Sequence, residues 1–143
     1  IQKRLEALSV VMQPKRVVPH RQADIAAALS GVTGADLILI LTASATSDPQ
    51  DVAPQAVRQA GGRVDRFGMP VDPGNLLFLG RLGSVPVIGL PGCAKSPALN
   101  GADWVMERVI CGVPVTGDDI AAMGVGGLLK EIPVRGRLRE APP

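Results

Sequence analysis

An uninterrupted aliphatic run is the feature that most constrains how this chain can fold. Asp36 is followed by residues 37–41, which are all leucine or isoleucine. Such a run is typical of a strand buried on both faces, as in the parallel sheets of α/β proteins. The loop that follows, residues 42–51, is rich in hydroxyls and carboxylates. A buried strand that ends in a polar loop predicts an α/β domain with a ligand site beyond the strand's carboxyl end.

The rest of the chain alternates between strand-like and helix-like segments. Helices are predicted at residues 20–30, 51–60, 100–110 and 117–123, and further strands at residues 63–68, 76–79, 86–90 and 131–134. This alternation predicts a three-layer α/β sandwich with a mostly parallel sheet between helices. One domain is expected over residues 1–134, with a tail or linker at residues 135–143. The start on Ile1 and the Ala-Pro-Pro close suggest a piece of a longer polypeptide.

The composition argues against nucleic acid as a partner. Hydrophobic residues make up 46% of the chain but aromatic residues only 2%, so the core must be aliphatic. Few aromatic faces are available to stack on single-stranded nucleic acid. The formal net charge is only +2, with basic residues scattered along the chain. Nucleic acid is therefore not an expected partner.

The cysteines and the hydropathy pattern bear on where the protein works. Cys93 and Cys111 match neither a zinc-ligand spacing nor a C-x-x-C redox motif. A reduced, cytoplasmic protein is the simplest interpretation. No apolar run is long enough to cross a bilayer, so no membrane association is expected.

Two proline–glycine pairs lie next to predicted strands. They are Pro73-Gly74 and Pro91-Gly92. This dipeptide favours a turn with glycine at positive φ, which presents free backbone N–H groups beyond the sheet. We call residues 42–51 the first loop, 72–75 the second loop and 91–96 the third loop. Together they predict a site for a polar, anionic ligand.

The first loop carries the most chemistry. Four hydroxyl residues lie close together in this loop: Thr42, Ser44, Thr46 and Ser47. Their hydroxyls are compact hydrogen-bonding groups. Two carboxylates, Asp48 and Asp51, are suited to a hard cation such as Mg²⁺ or to a ligand amine. The alternative is that either carboxylate simply caps the following helix.

The third loop differs by one residue from a phosphate-binding loop. Residues 89–96 fit G-x-x-x-x-G-K-[ST] except that Ala94 replaces the second glycine. Pro91 also removes one amide donor. A nucleotide-binding domain built on this segment stays open as an alternative, and so does a simple anion contact through Lys95 and Ser96. The isolated His20 is interpreted as a surface or capping residue, and Cys93 as a packing residue.

The three loops together resemble the molybdopterin-binding domain of molybdenum-cofactor biosynthesis proteins. That family's first loop is T-G-G-T-G, four residues, then D-V-T-P, and this chain has T-A-S-A-T at 42–46 and D-V-A-P at 51–54. Its second element is a proline–glycine turn, which residues 72–75 match. Its third is G-L-P-G-N-P, which G-L-P-G-C-A at 89–94 resembles.

The likeness is closer to a bacterial branch in which this domain precedes a nucleotidyltransferase-like domain that acts on the cofactor. Similar strings are G-M-P-V-D-P-G-N-L-L from residue 68, P-G-C-A-K-S-P from residue 91, N-G-A-D-W-V from residue 100 and M-G-V-G-G-L-L from residue 123. The likeness covers residues 20–131. Each string is short, and their order along the chain is what makes the likeness specific.

The resemblance implies a pterin ligand with a phosphate tail, bound at the carboxyl edge of the sheet: molybdopterin, or its molybdenum-loaded or nucleotide-bearing form. The residues expected to contact it are Thr42, Ala43, Ser44, Ala45, Thr46 and Ser47; Asp72, Pro73, Gly74 and Asn75; and Pro91, Gly92, Cys93, Ala94, Lys95, Ser96 and Asn100. Asp51, with Asp48 second, is expected to organise Mg²⁺ or the reacting phosphate, and Asp51 is the candidate catalytic residue.

The chain departs from the family at the signature glycines. Ala43, Ser44 and Ala45 stand in their place, and each adds a Cβ where the family's backbone approaches the ligand. This departure favours a binding module over a transferase domain that adenylates molybdopterin or inserts molybdate. The implied partners are a downstream nucleotidyltransferase-like domain and further copies of the chain. The fold's expected first strand is not found after Ile1, so the sheet is expected to be incomplete or completed by another chain.

Overall fold

The computed structural model of the protein describes residues 1–124 and the backbone of residues 127–128. The helices are α1 (Gln2–Ala7), α2 (Gln22–Ser30), α3 (Val52–Gln59), the 3-10 helix η1 (Gly92–Lys95), α4 (Gly101–Ile110) and α5 (Gly117–Ala121). The strands are β1 (Ile38–Leu41), β2 (Arg63–Phe67), β3 (Val71–Asp72), β4 (Phe78–Leu82), β5 (Val85–Leu90) and β6 (Gly127–Leu128). The predicted strand at 131–134 and the tail at 135–143 lie outside the described residues.

Four strands form the main sheet in the order β1-β5-β4-β2. β1 pairs with β5 in parallel, whereas β5 with β4 and β4 with β2 pair antiparallel. A second, two-stranded sheet pairs β3 with β6 in parallel. The described part of the chain is therefore a mixed α/β fold, as predicted at that level.

The predicted mostly parallel sheet is not confirmed, because the main sheet is mostly antiparallel. The antiparallel pairing of β4 with β5 is caused by a hairpin. Leu82 pairs with Val85, which leaves a two-residue turn at Gly83 and Ser84. Gly83 has a φ of +60°, and two-residue hairpin turns favour glycine at such a position. The sequence prediction ended this strand at residue 79, whereas β4 continues to Leu82.

Two apolar clusters lie on opposite faces of the main sheet. Neighbouring residues of β5 separate between them, since Val87 belongs to the cluster under α2 and α3 and Ile88 to the other. The second cluster also holds buried residues of α1, α4 and α5. Alternation along a strand sends successive side chains to opposite faces. The aliphatic composition is thus used to cover both sides of the sheet.

The aliphatic run forms the predicted strand, but at a different place in the sheet. β1 has β5 as its one paired neighbour in the described part of the chain. Its burial falls along the strand, from Ile38 at 8% exposed to Leu41 at 41% exposed. Burial on both faces was therefore an overestimate, because an edge strand is less covered than a central one.

The limits of α2, α3, α4 and α5 agree with the predicted helices to within two residues. Asn100 forms a capping box with Asp103 at the start of α4, and Thr116 forms one with Asp119 at the start of α5.

Across residues 1–124 and 127–128, no helix is both long and apolar enough to span a membrane.

Candidate functional site

The first and third loops start from the same edge of the main sheet, and the second loop lies in the connection between β2 and β4 that begins at that edge. β1, β5 and β2 run in one direction, because β1 is parallel to β5 while β4 is antiparallel to both β5 and β2. Leu41 pairs with Leu90, and Phe78 pairs with both Gly89 and Phe67. The carboxyl ends of these strands therefore lie in one row, which is where open α/β sheets bind ligands.

Two buried threonines hold the start of the first loop. Thr42 Oγ1 donates to the carbonyl of Ser44 at 2.5 Å and lies 3.4 Å from Thr46 Oγ1. Both threonines are less than one-tenth exposed. Their hydroxyls therefore shape the loop, and Ser44 and Ser47 are the hydroxyl residues that remain exposed.

The carboxylate of Asp51 closes the loop from its far end. Its Oδ2 accepts hydrogen bonds from the backbone N–H of Ser47 at 2.7 Å and of Asp48 at 3.1 Å. Asp51 precedes α3 as the N-cap residue, but its side chain makes no capping hydrogen bond to that helix. Asp48 Oδ1 accepts from the N–H of Gln50 at 2.6 Å. The simple capping interpretation is therefore wrong for Asp51, which binds backward into the loop.

An open cleft of about 310 Å³ lies between the first loop and the start of α3. It is lined by His20, Ser44, Ala45, Thr46, Ser47, Asp51, Val52 and Ala53. The first N–H groups of a helix have no partner within the helix, and they carry a partial positive charge. The cleft thus combines hydroxyls, a helix N-terminus, one imidazole and one carboxylate.

The residues at the family's signature glycines differ in burial. Aligned with T-G-G-T-G, residues 42–46 place Ala43, Ser44 and Thr46 at the three glycines and Ala45 at the threonine, so the expectation that Ala45 replaces a glycine was wrong. Ala43 and Ser44 are exposed, whereas Thr46 is buried. The loop folds without glycine at these positions, and the added side chains would reduce the room left for a ligand.

The second loop is packed against the start of α4. The N–H of Gly101 donates to the carbonyl of Pro73 at 2.8 Å. Gly74 has the predicted positive φ, at +133°, and a Cβ built there would lie 2.8 Å from the Gly101 nitrogen. Asp72 and Asn75 are exposed on either side of this contact. The turn is therefore fixed by its neighbour as well as by its own sequence.

The third loop folds differently from the prediction. Pro91 and Gly92 begin η1, in which the N–H of Ala94 donates to the carbonyl of Pro91 at 2.9 Å and that of Ser96 to the carbonyl of Cys93 at 3.0 Å. The expected glycine-centred turn is thus replaced by one turn of 3-10 helix. Because these amides have partners, fewer remain to wrap a phosphate chain than the nucleotide alternative requires.

The exposed groups of the third loop are a cation and a hydroxyl. Lys95 and Ser96 are both exposed, and Ser96 Oγ accepts from the N–H of Ala98 at 3.2 Å. Ala94 and Pro91 are buried beneath them. An anion contact at this loop would therefore come from the Lys95 ammonium and the Ser96 hydroxyl.

Asn100 is a buried connection between loops rather than an exposed donor. It is 1% exposed, its Oδ1 accepts from the N–H of Ala102 at 3.0 Å, and its Nδ2 donates to Cys93 Sγ at 3.1 Å. Both ends of its amide take part in these bonds, but Nδ2 carries a second hydrogen, so the contact of Asn100 with an anionic ligand stays a prediction. Cys93, which it holds, is partly buried.

The structure joins the predicted site in two parts. The second and third loops meet through Asn100 and Gly101, as the contacts above describe. The cleft at the first loop is lined by residues of that loop, α3 and His20, and residues of the other two loops do not line it. The three loops therefore share one sheet edge without enclosing one cavity.

The carboxylates of the first loop form no larger acidic cluster. Within the described residues, no group of three or more histidine, cysteine, aspartate or glutamate side chains is arranged to hold a metal ion. Asp48 and Asp51 are two carboxylates on one loop, and Mg²⁺ is commonly held by one or two carboxylates plus substrate phosphates. Mg²⁺ therefore stays a prediction that depends on a bound anionic ligand.

Two residues near the site were missed by sequence reasoning. His20 lines the cleft although no nearby motif marks it. Arg4 contacts the third loop from the opposite end of the described chain, with Nη1 donating to the carbonyl of Ala94 at 3.0 Å. A contact between residues so far apart in the chain leaves no local sequence signal. For His20, the local sequence predicted only the start of a helix.

Comparison of this chain with protein-family models, with curated proteins and with solved structures finds no match.

Proposed function

We propose that this chain binds molybdopterin, or an intermediate of the molybdenum cofactor, and serves as a binding module in the biosynthesis of that cofactor. The observation that carries the proposal is the common sheet edge. Of the three segments that resemble the family's motifs, the first and third directly follow strands whose carboxyl ends lie in one row, and the second lies in the connection between β2 and β4 that begins at the same row. Such a row is the usual position of a ligand in an open α/β sheet.

The chemistry of the first loop suits the phosphate end of such a ligand. Ser44 and Ser47 are exposed in a cleft that also contains the first residues of α3, Val52 and Ala53. Hydroxyl donors and a helix N-terminus both favour an anion. His20 lines the same cleft and supplies a further nitrogen donor.

The remaining parts of the site would contact the rest of the ligand. Lys95 is exposed at the end of η1 and offers a cation to an anionic group. The exposed Asp72 and Asn75 form a polar wall at the second loop. Asp51 and Asp48 would bind Mg²⁺ together with the ligand's phosphate. The proposal also includes a three-layer arrangement, since helices pack on both faces of the sheet.

Purification from a cell that makes the cofactor tests this proposal. The protein is isolated, oxidised, and assayed for the fluorescence of a released pterin. We expect pterin in the parent protein, a loss in the double variant Ser44→Ala with Ser47→Ala, and no change in Ser84→Ala at the opposite end of the sheet. Folded parent protein that carries no pterin would overturn the proposal.

A transferase domain is the second candidate, since the resemblance includes adenylyl and molybdenum transfer. Asp51 is the residue that separates the two, because it is the candidate for Mg²⁺ and the reacting phosphate. Asp51→Asn that abolishes turnover while leaving pterin affinity intact would favour the enzyme. The nucleotide alternative instead predicts ATP or GTP binding that Lys95→Ala destroys.

A further inference from the structure

We infer that Arg4 is a positioning residue for the third loop, holding that loop in shape from outside the site. Its guanidinium bridges α4 and the segment after β5. This inference rests on the proposed function only in assuming that the third loop contacts ligand; the positioning itself is a property of the free protein.

The Arg4 side chain makes contacts on two sides. On one side, Nε donates to Asp103 Oδ1 at 2.5 Å and Nη2 lies 3.4 Å from Asp103 Oδ2. On the other, Nη1 donates to the carbonyl of Ala94 at 3.0 Å and Nη2 to that of Ala98 at 2.8 Å. The planar fork of arginine spreads its N–H donors over three nitrogens and so spans both sides, whereas the three donors of lysine share one nitrogen.

The ion pair is well shielded from solvent. The side chains of Arg4 and Asp103 are 16% and 12% exposed. Exposed pairs contribute little to stability, but removing one partner of a shielded pair leaves the other charge without compensation. Arg4 is thus a stronger link between its two sides than a surface arginine would be.

Asp103 is the fixed end of this link. It lies in α4, five of whose residues are buried, and its Oδ2 also accepts from the N–H of Asn100 at 3.0 Å. α1 is a six-residue helix in which Leu5 is the buried residue. Beside this contact, an open groove of about 330 Å³ is lined by residues of both α1 and α4. Arg4, which belongs to α1, therefore fixes the third loop relative to α4.

The connection continues to the exposed groups of the site. Ala94, whose carbonyl Arg4 holds, directly precedes Lys95, and Cys93 is held by Asn100 from the same α4 terminus. The third loop is consequently fixed at two points by groups that converge on Asp103. Loss of Arg4 releases one of these points and frees the backbone that carries Lys95 and Ser96.

Amide hydrogen exchange on the free chain tests the inference. Arg4→Met, Arg4→Lys and the matched control Arg108→Met are compared with the parent; Arg108 is an exposed arginine of α4 that donates to the carbonyl of Trp104. We expect the Ala94 and Ser96 amides to exchange about tenfold faster in Arg4→Met, consistent with losing charged hydrogen bonds. Arg4→Lys should restore part of the protection, and Arg108→Met should leave it unchanged.

The amides of β5 separate local opening from general loss of stability. In Arg4→Met the η1 amides should accelerate by a larger factor than those of Val87 and Ile88, which report global unfolding. Equal factors for both sets, or parent-like η1 amides, would overturn the inference. If Arg4→Met does not fold, Arg4→Lys is judged by the same criterion. Pterin content, measured separately, tests the proposed function, so the two failures are distinguishable.

Discussion

The first and third loops begin side by side at the sheet edge but are held in shape by different kinds of contact. In the first loop, Thr42 meets Thr46 and Asp51 binds Ser47, both pairs separated by four positions. The third loop has the hydrogen bonds of η1, but it is also held by Arg4, which is 90 positions from Ala94. The first loop therefore depends on its own sequence, and the third depends on the docking of distant elements.

This difference determines how much of each loop's structure can be inferred from its own sequence. A loop that uses local bonds can be inferred from a motif, because the interacting residues lie together in the sequence. A loop fixed from a distance shows only its own turn residues. We therefore expect substitutions in the first loop to change mainly that loop, whereas substitutions at the contacts that fix the second and third loops to α1 and α4 should also affect the rest of the fold.

The largest effect is expected at the junction of the second loop with α4. Gly74→Ala should lower the free energy of unfolding by about 3 kcal/mol, because it combines a left-handed φ with a backbone collision. Gly92→Ala, in the third loop, meets open space and should change it by less than about 0.5 kcal/mol. Denaturation by urea measures both. Equal effects of the two substitutions would contradict the packing described at this junction.

A smaller and more local effect is expected in the first loop. Asp51→Ala removes the acceptor for two backbone N–H groups and should cost about 2 kcal/mol. Its matched control, Asp48→Ala, removes the acceptor for only one N–H and should lower the free energy of unfolding by less than about 1 kcal/mol.

Hydrogen exchange decides whether the Asp51 effect stays local. The Ser47 and Asp48 amides should lose protection in Asp51→Ala, while the Ala94 amide of the third loop keeps its parent rate. Faster exchange at Ala94 as well would show that the two loops are coupled, and the contrast between them would then be wrong.

The smallest effect is expected at a local contact in α5, outside all three loops. Hydrogen bonds from the Thr116 hydroxyl and then from its N–H hold the pKa of Asp119 below its ordinary value of 3.8. A lowered pKa in the folded state stabilises the ionised form, so its contribution is complete above pH 3.8 and is lost as the pH falls below that value. Asp119→Asn should remove this pH dependence from α5. The amide chemical shifts of α5, recorded as a function of pH, measure it. The same shift-against-pH profile in the variant and the parent would refute the prediction.

The sequence predicted the elements better than their pairing. Segments with polar caps, such as those starting at Asn100 and Thr116, gave helix limits close to those observed. The sheet direction was missed because Gly80 resembles a turn residue, yet it lies inside β4 opposite Val64. The local periodicity of a strand does not specify which neighbour it pairs with.

The candidate site was predictable to a similar degree. The polar first loop and its place after a strand followed from adjacent residues. The burial of Asn100, the cleft contact of His20 and the reach of Arg4 depend on tertiary packing and have no signal in a local motif. The position of a loop at a strand end was therefore predictable, whereas the contacts that shape it were not.

Amide chemical-shift mapping of the pterin-loaded protein against the pterin-free protein tests the central claim most directly. The account predicts that the shift changes concentrate at the first loop, at the start of α3 and at the third loop, which all lie at one sheet edge. Changes concentrated instead at Gly83 and Ser84, the hairpin at the opposite end of the sheet, would contradict it.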